Sequence, residues 1–221
     1  KQIYIDQLSN EGRALISGKI LDNWTINFNG ADKKINPNIP KDYLGLNGCL
    51  TLIDIKVENL KIFSKNSTCE DSINFIRVVG DISDLNILNS TSDGADFDFS
   101  NLTIDNVNIK SAKNDCLDLS YGNYEINKIE AIDCGDKGIS VGEKSKALIK
   151  VVKIDKSSIA IAVKDSSVAN IESSKIDNSP ICFTAYRKKP EFAGGKINIS
   201  KTNCKTEQFF AQEGSKIISN L

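Results

Sequence analysis

Four segments of the same design follow one another at a fixed interval: Cys116-Leu117-Asp118-Leu119, Gly138-Ile139-Ser140-Val141, Ala160-Ile161-Ala162-Val163 and Cys182-Phe183-Thr184-Ala185. Each segment begins 22 residues after the one before it. In each, the second and fourth residues are apolar and the others are small or polar, which is the alternation of a β-strand with one buried face. A repeat of this length is typical of solenoids, in which each coil buries its apolar face against its neighbours. The sequence therefore predicts an all-β fold, a right-handed parallel β-helix with about 22 residues per coil.

The same spacing predicts which side chains fill the interior. One coil earlier, Asp96-Phe97-Asp98-Phe99 has the same alternation and fits with a step of 20. The predicted interior columns are Phe97, Leu117, Ile139, Ile161 and Phe183, and then Phe99, Leu119, Val141, Val163 and Ala185. A second strand in each coil is indicated by Ile132, Ile154 and Ile176, again 22 apart, with Ile129 and Val151 preceding them in register. A helix is the alternative for such a period, but Ser, Asn, Asp, Gly, Val and Ile favour strands and turns.

The whole chain, residues 1–221, is expected to form one domain, because no Pro- or Gly-rich linker interrupts it. Residues 1–20 are expected to cap the solenoid with a short amphipathic helix that carries Ile3, Leu8, Ala14 and Leu15, and residues 21–221 to form the coils. Residues 187–195 lengthen one coil, and such loops often bind ligands, although a harmless excursion explains them equally well. Because the chain contains no methionine, even at its start, we expect it to be part of a longer protein with further domains.

Composition excludes several classes of partner. With 28 basic and 29 acidic side chains, the formal charge of −1 gives no positive field for a nucleic-acid backbone. No apolar run approaches the roughly 20 residues that a membrane-spanning helix needs. The sequence contains no histidine, so any acid–base chemistry must use Asp, Glu, Lys or Tyr.

Six cysteines raise the question of a disulfide framework. Two pairs share a column but lie three coils apart, about 14 Å at the usual strand spacing, which is too far to bond: Cys116 with Cys182, and Cys134 with Cys204. We therefore expect these four to be small buried residues. Cys49 and Cys69 are 20 residues apart and are the one pair left that can form a bridge. No two cysteines have the close spacing of a zinc site.

Outward-facing positions on the predicted strands gather carboxylates. Asp96 and Asp98 are expected beside Asp118 on the next coil, and a second set just precedes each strand: Asp93, Asn114, Asp115, Asp136 and Lys137. Acidic groups on neighbouring coils perturb one another, so at least one is expected to hold a proton near neutral pH. The alternative is that these Asp and Asn residues only end strands and cap turns.

Four motifs in this region resemble those of an enzyme family: Thr91-Ser92-Asp93-Gly94, Asn114-Asp115-Cys116, Gly135-Asp136-Lys137-Gly138-Ile139-Ser140 and Ala162-Val163-Lys164. Their order and approximate spacing are similar to the polygalacturonase signatures N-T-D, D-D-C, G-H-G-I-S and R-I-K. The resemblance covers roughly 75 residues. It implies a member of the pectin-lyase-like β-helix superfamily, whose members commonly act on polysaccharides.

The resemblance also implies roles for individual residues. Asp93 and Asp115 correspond to the pair that activates water in an inverting hydrolysis, and Lys164 to the lysine that binds a substrate carboxylate. Three positions depart from the family pattern: Asn114 stands in place of the general acid, Lys137 in place of the histidine and Ala162 in place of the arginine. An amide cannot supply the proton that a departing sugar oxygen needs. The role of the acid would then fall to one of three other carboxyls, those of Asp136, Asp118 and Asp98.

A second reaction type is β-elimination or epimerisation of a uronic acid. It needs a base at C5 of the sugar and a positive charge on its carboxylate. The candidates are Lys137 with Lys164, or Tyr186 with Arg187, Lys188 and Lys189. A lysine must lose its proton to act as a base, and neighbouring carboxylates oppose that loss. The cations at 187–189 also suit a solvated loop.

The function expected from these observations is directed at carbohydrate, either acting on or binding an anionic polysaccharide. The candidate catalytic residues are Asp93, Asp115, Asp118, Asp136 and Lys137, and the candidate substrate-binding residues are Asp98, Lys164, Tyr186 and Arg187. The alternatives are a non-catalytic binding module and a rigid structural segment of a cell-envelope protein, an adhesin or a phage tail fibre. No cofactor is expected, although calcium suits so many carboxylates. A role on polysaccharide favours a secreted or cell-envelope location.

Overall fold

Strands make up almost all of the regular structure. A computed structural model of the chain describes residues 1–31 and 45–219. The described strands are β1 (Gln2–Asp6), β2 (Ala14–Ser17), β3 (Ile20–Asp22), β4 (Thr25–Asn29), β5 (Gly48–Ile53), β6 (Lys56–Ser67), β7 (Asp71–Ile76), β8 (Val79–Ser90), β9 (Asp93–Asp98), β10 (Asn101–Ala112), β11 (Leu117–Ser120), β12 (Asn123–Gly142), β13 (Lys146–Lys164), β14 (Val168–Asp177), β15 (Ile181–Tyr186), β16 (Lys196–Ile199), β17 (Phe209–Ala211) and β18 (Lys216–Ser219). A single turn of 3-10 helix, Thr206–Gln208, precedes β17.

These strands stack in parallel as a β-solenoid of about nine turns with about 22 residues per coil, which confirms the predicted fold class. One sheet surface, called here the first face, consists of β2, β5, β7, β9, β11, the last residues of β12 and β13, β15 and β17, each paired with the next. The other strands form the remaining surface of each coil, where β6, β8, β10, β12 and β13 bend from one face into another. The apolar core runs through the inside of the stack.

The fourfold repeat builds the predicted interior columns on the first face. Leu117, Ile139, Ile161 and Phe183 pair in register and are fully buried. Leu119, Val141, Val163 and Ala185 form the second column in the same way. The amino acids that decided the fold therefore lie where the repeat predicted.

The coil before the repeat has a different register from the one predicted. Ala95 pairs with Leu117, and Phe97 pairs with Leu119. Phe99 is half exposed and lies outside the core. The true step is therefore 22, and the predicted step of 20 was wrong. The cause is that a slip of two residues preserves the alternation of a strand, so the Asp-Phe-Asp-Phe pattern could not reveal it.

The predicted column of isoleucines is also partly wrong. Ile154 pairs with Ile176 as expected, but its partner on the other side is Ala131, while Ile132 pairs with Asp155 and faces outward. The step between these coils is 23, because the turn that follows Gly142 contains one extra residue. Val151 is likewise about half exposed, since Val152 takes the place opposite Ile129.

Residues 1–20 form strands and not the predicted helical cap. β1 pairs with β4, and β2 pairs with β5, so the solenoid begins at Gln2. The apolar residues alternate as in a strand: Tyr4 and Leu15 point outward, while Ile3 and Ala14 pack against the core. A period of two, and not of 3.6, explains their order.

Three disulfides join the cysteines as Cys49–Cys69, Cys116–Cys134 and Cys182–Cys204. The first confirms the pair that the sequence left open, whereas the prediction that the other four are unbonded was wrong. The rejected pairs are indeed not bonded to each other. Each cysteine at the start of a first-face strand instead reaches the corner at the end of the same coil, where the chain has risen by one strand spacing. That corner lies beside the next coil, within reach of a bond.

Among the described residues, no helix is long and apolar enough to cross a membrane.

Candidate functional site

Carboxylates concentrate on the outer side of the first face, because residues 22 apart lie above one another. Asp71 pairs with Asp93, and Asp115 and Lys137 continue that column through direct hydrogen bonds. A second column contains Asn74, Asp96, Asp118 and Ser140. Asp98 lies opposite Ser120 in a third. We call the six aspartates of these columns the acidic face: Asp71, Asp93, Asp96, Asp98, Asp115 and Asp118.

Asp93 is held in one orientation by its neighbours. The Asn114 side-chain amide donates to Asp93 Oδ1 over 2.7 Å, and the Asp115 backbone N–H donates to the same oxygen over 2.8 Å. Burial raises the pKa of Asp93 to about 6, helped by the negative charge of Asp115 and opposed by these hydrogen bonds. Asp93 therefore exchanges a proton in the range where enzymes need one.

Two other aspartates of the acidic face are more deeply enclosed. Burial raises the pKa of Asp71 and that of Asp96 well above the usual range, and the neighbouring aspartates add to the effect. Asn74 donates to Asp96 Oδ2 over 3.4 Å and to Asp98 Oδ2 over 3.3 Å. Asp71 Oδ2 is buried and has no hydrogen-bond partner within the described residues, and the same is true of Ser140 Oγ. This part of the site stores protons and unpaired polar atoms.

Lys137 lies at the end of the Asp93 column. Its ammonium contacts both oxygens of Asp115, at 3.3 and 3.4 Å, and also forms an ion pair with Asp136. Burial disfavours its charge, but the hydrogen bond to Asp136 and the charges of both aspartates raise its pKa far above the usual value. For Asp115 the balance is different: burial raises its pKa, and Lys137 only opposes that rise. Lys137 is thus a permanent cation at neutral pH.

Lys164 is a buried lysine whose side chain crosses Gly142. It is 4% exposed, and its ammonium lies 3.7 Å from Asp118 Oδ2. A β-carbon at position 142 would lie only 2.6 Å from Lys164 Cε, so the glycine leaves the path open. Burial lowers the pKa of Lys164, but the charges of Asp118 and Glu143 outweigh it and the net shift is upward. Tyr186, opposite Lys164 on the next strand, lies close enough to contribute to the same shift.

One wall of the site is formed by the turns that follow the first-face strands. At the corner after each strand, one residue has a left-handed backbone, and these residues recur about every 22 positions: Asp54, Arg77, Phe99, Tyr121, Glu143 and Asp165. Phe99 and Tyr121 stack at 4.6 Å and remain half exposed, beside the acidic face. Left-handed backbone is unusual for bulky residues. Sequence reasoning missed this wall because the wrong register had placed Phe99 in the core.

The loop at 187–195 folds back along that wall. The buried Asp165 carboxylate accepts hydrogen bonds from the backbone N–H groups of Lys188 and Lys189, at 2.7 and 2.9 Å. The Lys189 ammonium lies 2.9 Å from Glu143, and Phe192 packs edge-on against Tyr121. Glu143 accepts a hydrogen bond from Ser120 over 2.6 Å. The predicted interruption of the solenoid therefore packs against the site.

Of the predicted site residues, the structure brings eight together on the first face: Asp93, Asp98, Asp115, Asp118, Asp136, Lys137, Lys164 and Tyr186. Arg187 is exposed and lies apart, beside Gly194 and Glu213 at a shallow depression. The residues that sequence reasoning missed are Asp71, Glu143 and Asp165. Each lies 22 residues from a site position, so a longer count of the repeat would have found them.

The site combines proton exchange with fixed charges of both signs. Asp93 exchanges a proton near pH 6, while Lys137 and Lys164 hold Asp115 and Asp118 as ion pairs. Within residues 1–31 and 45–219, no three His, Cys, Asp or Glu side chains converge where a metal ion would be held. Calcium binding stays a prediction. The chain matches no protein-family model, no curated protein and no solved structure.

Proposed function

We propose that this chain is a carbohydrate-directed β-helix domain that binds an anionic polysaccharide on its first face and hydrolyses it. Asp93 carries the proposal, because a carboxyl with a pKa of about 6 in a row of aspartates is suited to general acid catalysis. The motif resemblance to the pectin-lyase-like superfamily supports the same class of substrate. The three disulfides suit an oxidising location, such as a secreted or cell-envelope protein.

In the proposed reaction Asp93 donates its proton to the glycosidic oxygen as the bond to the sugar breaks. Asn114, which stands where the family has its acid, instead donates a hydrogen bond to Asp93 and orients it. Asp115 is engaged through both oxygens by Lys137. Asp118 is then the carboxylate that takes a proton from water, whose hydroxide adds to the anomeric carbon. Lys164 keeps Asp118 ionised and in place.

Elimination is the weaker alternative on this face. A base at C5 of a uronic acid must be unprotonated, and both Lys137 and Lys164 have raised pKa values. Lys164 is also enclosed by its neighbours, so we assign it the positioning of Asp118 and not the grip on a substrate carboxylate. The exposed cations of Arg187 and Lys188 are the groups open to a uronate at this end of the site.

A non-catalytic binding module is the second candidate. It is favoured by the two ion pairs, Lys137 with Asp115 and Lys164 with Asp118, which already occupy carboxylates that a hydrolase would use. Such a module would bind the polysaccharide and release no product. A rigid structural segment would do neither.

The test is a screen of the chain against soluble polysaccharides, with binding and newly formed reducing ends both measured. We expect cleavage of a uronate-containing polymer, and no ultraviolet absorbance from the unsaturated sugars that elimination creates. Asp93→Asn should lower kcat by about 10²- to 10⁴-fold, the usual contribution of a general acid. Because the acid must be protonated, the rate should fall as the pH rises through about 6.

The matched control is Asp105→Asn, which changes an exposed aspartate away from the first face. It should behave like the unaltered chain. Binding without products would favour the second candidate. Full activity in Asp93→Asn would remove the proposed acid, and a chain that neither binds nor cleaves any polysaccharide would overturn the proposal.

A further inference from the structure

A groove on another side of the solenoid carries a feature that the first face lacks. It has a volume of about 530 Å³ and lies where β4, β6, β8, β10 and β12 stack side by side. Two columns of outward side chains run along it. None of the predicted site residues lines it, so it is separate from the first face.

One column of this groove alternates cations with apolar side chains. Lys65 pairs with Leu88, Leu88 with Lys110, and Lys110 with Ile132. Both lysines are exposed, and within the described residues neither forms an ion pair. The only acidic side chain that lines the groove, Glu130, is neutralised by Lys153 at 2.6 Å. The groove therefore has a net positive charge, in contrast to the acidic face.

The second column supplies hydrogen bonds and an aromatic ring. Phe63, Asn86 and Asn108 follow one another in register, and the Asn108 amide donates to Asn86 over 3.1 Å. Each amide keeps further donor and acceptor capacity. Phe63 is 42% exposed and Leu88 is 43% exposed, which gives the groove an open apolar surface.

From this arrangement we infer that the groove is a second polysaccharide site, which holds an anionic chain along the solenoid axis and is independent of the chemistry on the first face. Sugar rings have apolar C–H faces for Phe63 and Leu88, hydroxyls for the asparagines, and, in uronic acids, carboxylates for the lysines. Lys65 and Lys110 are two strand spacings apart, or about 10 Å. That spacing suits a polymer with a uronate at alternate sugars.

A nucleic acid is the other polyanion to consider, and the groove fits it poorly. Nucleic-acid sites neutralise many phosphates, whereas this groove offers two unpaired lysines on a chain with a net charge of −1. Amides and aliphatic side chains beside a single ring are better suited to hydroxyl-rich sugars.

The test measures binding of the full chain to hyaluronan, which alternates uronate with a neutral sugar, and to neutral dextran and duplex DNA. Lys65→Gln with Lys110→Gln should weaken binding to hyaluronan by tenfold or more and reduce its dependence on salt, because two charge-assisted contacts are lost. The control, Lys19→Gln with Lys196→Gln, removes the same charge from exposed positions outside the groove and should bind as the unaltered chain does.

Asp93→Asn separates this inference from the proposed hydrolysis, since it should leave binding in the groove unchanged. Retained binding by Asp93→Asn together with loss in the lysine variant would support the second site, whatever the fate of the catalytic proposal. Unchanged binding in the lysine variant, equal binding of dextran, tighter binding of DNA or no binding of hyaluronan at all would overturn it.

Discussion

At the scale of single residues, the site depends on charges that cannot be removed one at a time. Lys164 is almost fully buried, and its nearest carboxylate oxygen, Asp118 Oδ2, lies 3.7 Å away. Sequence reasoning found Asp118 and Lys164 separately, from strand alternation and from a motif. It could not find that they meet, because their contact depends on the path that Gly142 leaves across the strand between them.

Asp118→Ala should destabilise the fold by about 3–5 kcal/mol, because it leaves the buried Lys164 ammonium without a countercharge. Combining it with Lys164→Met should recover most of that loss, since an apolar side chain of similar length needs no partner. The free energy of unfolding in urea measures both. A loss below about 1 kcal/mol in the single variant, the range of exposed pairs, would show that Lys164 is not enclosed as described.

At the scale of strands and coils, the periodicity predicted the regular part of the fold and failed where the coil length changes. The four segments between Cys116 and Ala185 keep a step of 22, so counting was sufficient there. The 23-residue step after Gly142 displaced Ile132 from its predicted column. The disulfides were missed for a related reason: columns record only which residues lie directly above one another, and these bonds cross a corner between two columns.

Removal of one corner bond tests the role of the disulfides. Cys116→Ser with Cys134→Ser should lower the free energy of unfolding by about 2–4 kcal/mol, because the unfolded chain regains the freedom of an 18-residue loop. The reduced unaltered chain is the matched comparison. Thermal or urea unfolding gives the measurement. Equal stability of the double variant and the oxidised chain would mean that the corner is held by packing alone.

At the scale of the whole molecule, the stacking that buries the apolar columns also forces like charges together. The acidic face gathers six aspartates from coils that are far apart in sequence. Their raised pKa values mean that ionising them costs stability that the core must supply elsewhere. Proteins retain such destabilising groups mainly at functional sites. The sequence predicted this cluster, because the repeat fixes which residues become neighbours, but not the burial of each member.

The most direct test of this account is the titration of Asp93 in the folded chain, followed by the NMR chemical shift of its carboxyl carbon and assigned with Asp93→Asn. If the register brings the carboxyls together in a desolvated site, its midpoint should lie at about pH 6. The exposed Asp105 is the internal control and should titrate in the ordinary range of aspartates, near 3.9. A midpoint for Asp93 in that same ordinary range would contradict both the enclosed acidic face and the role proposed for it.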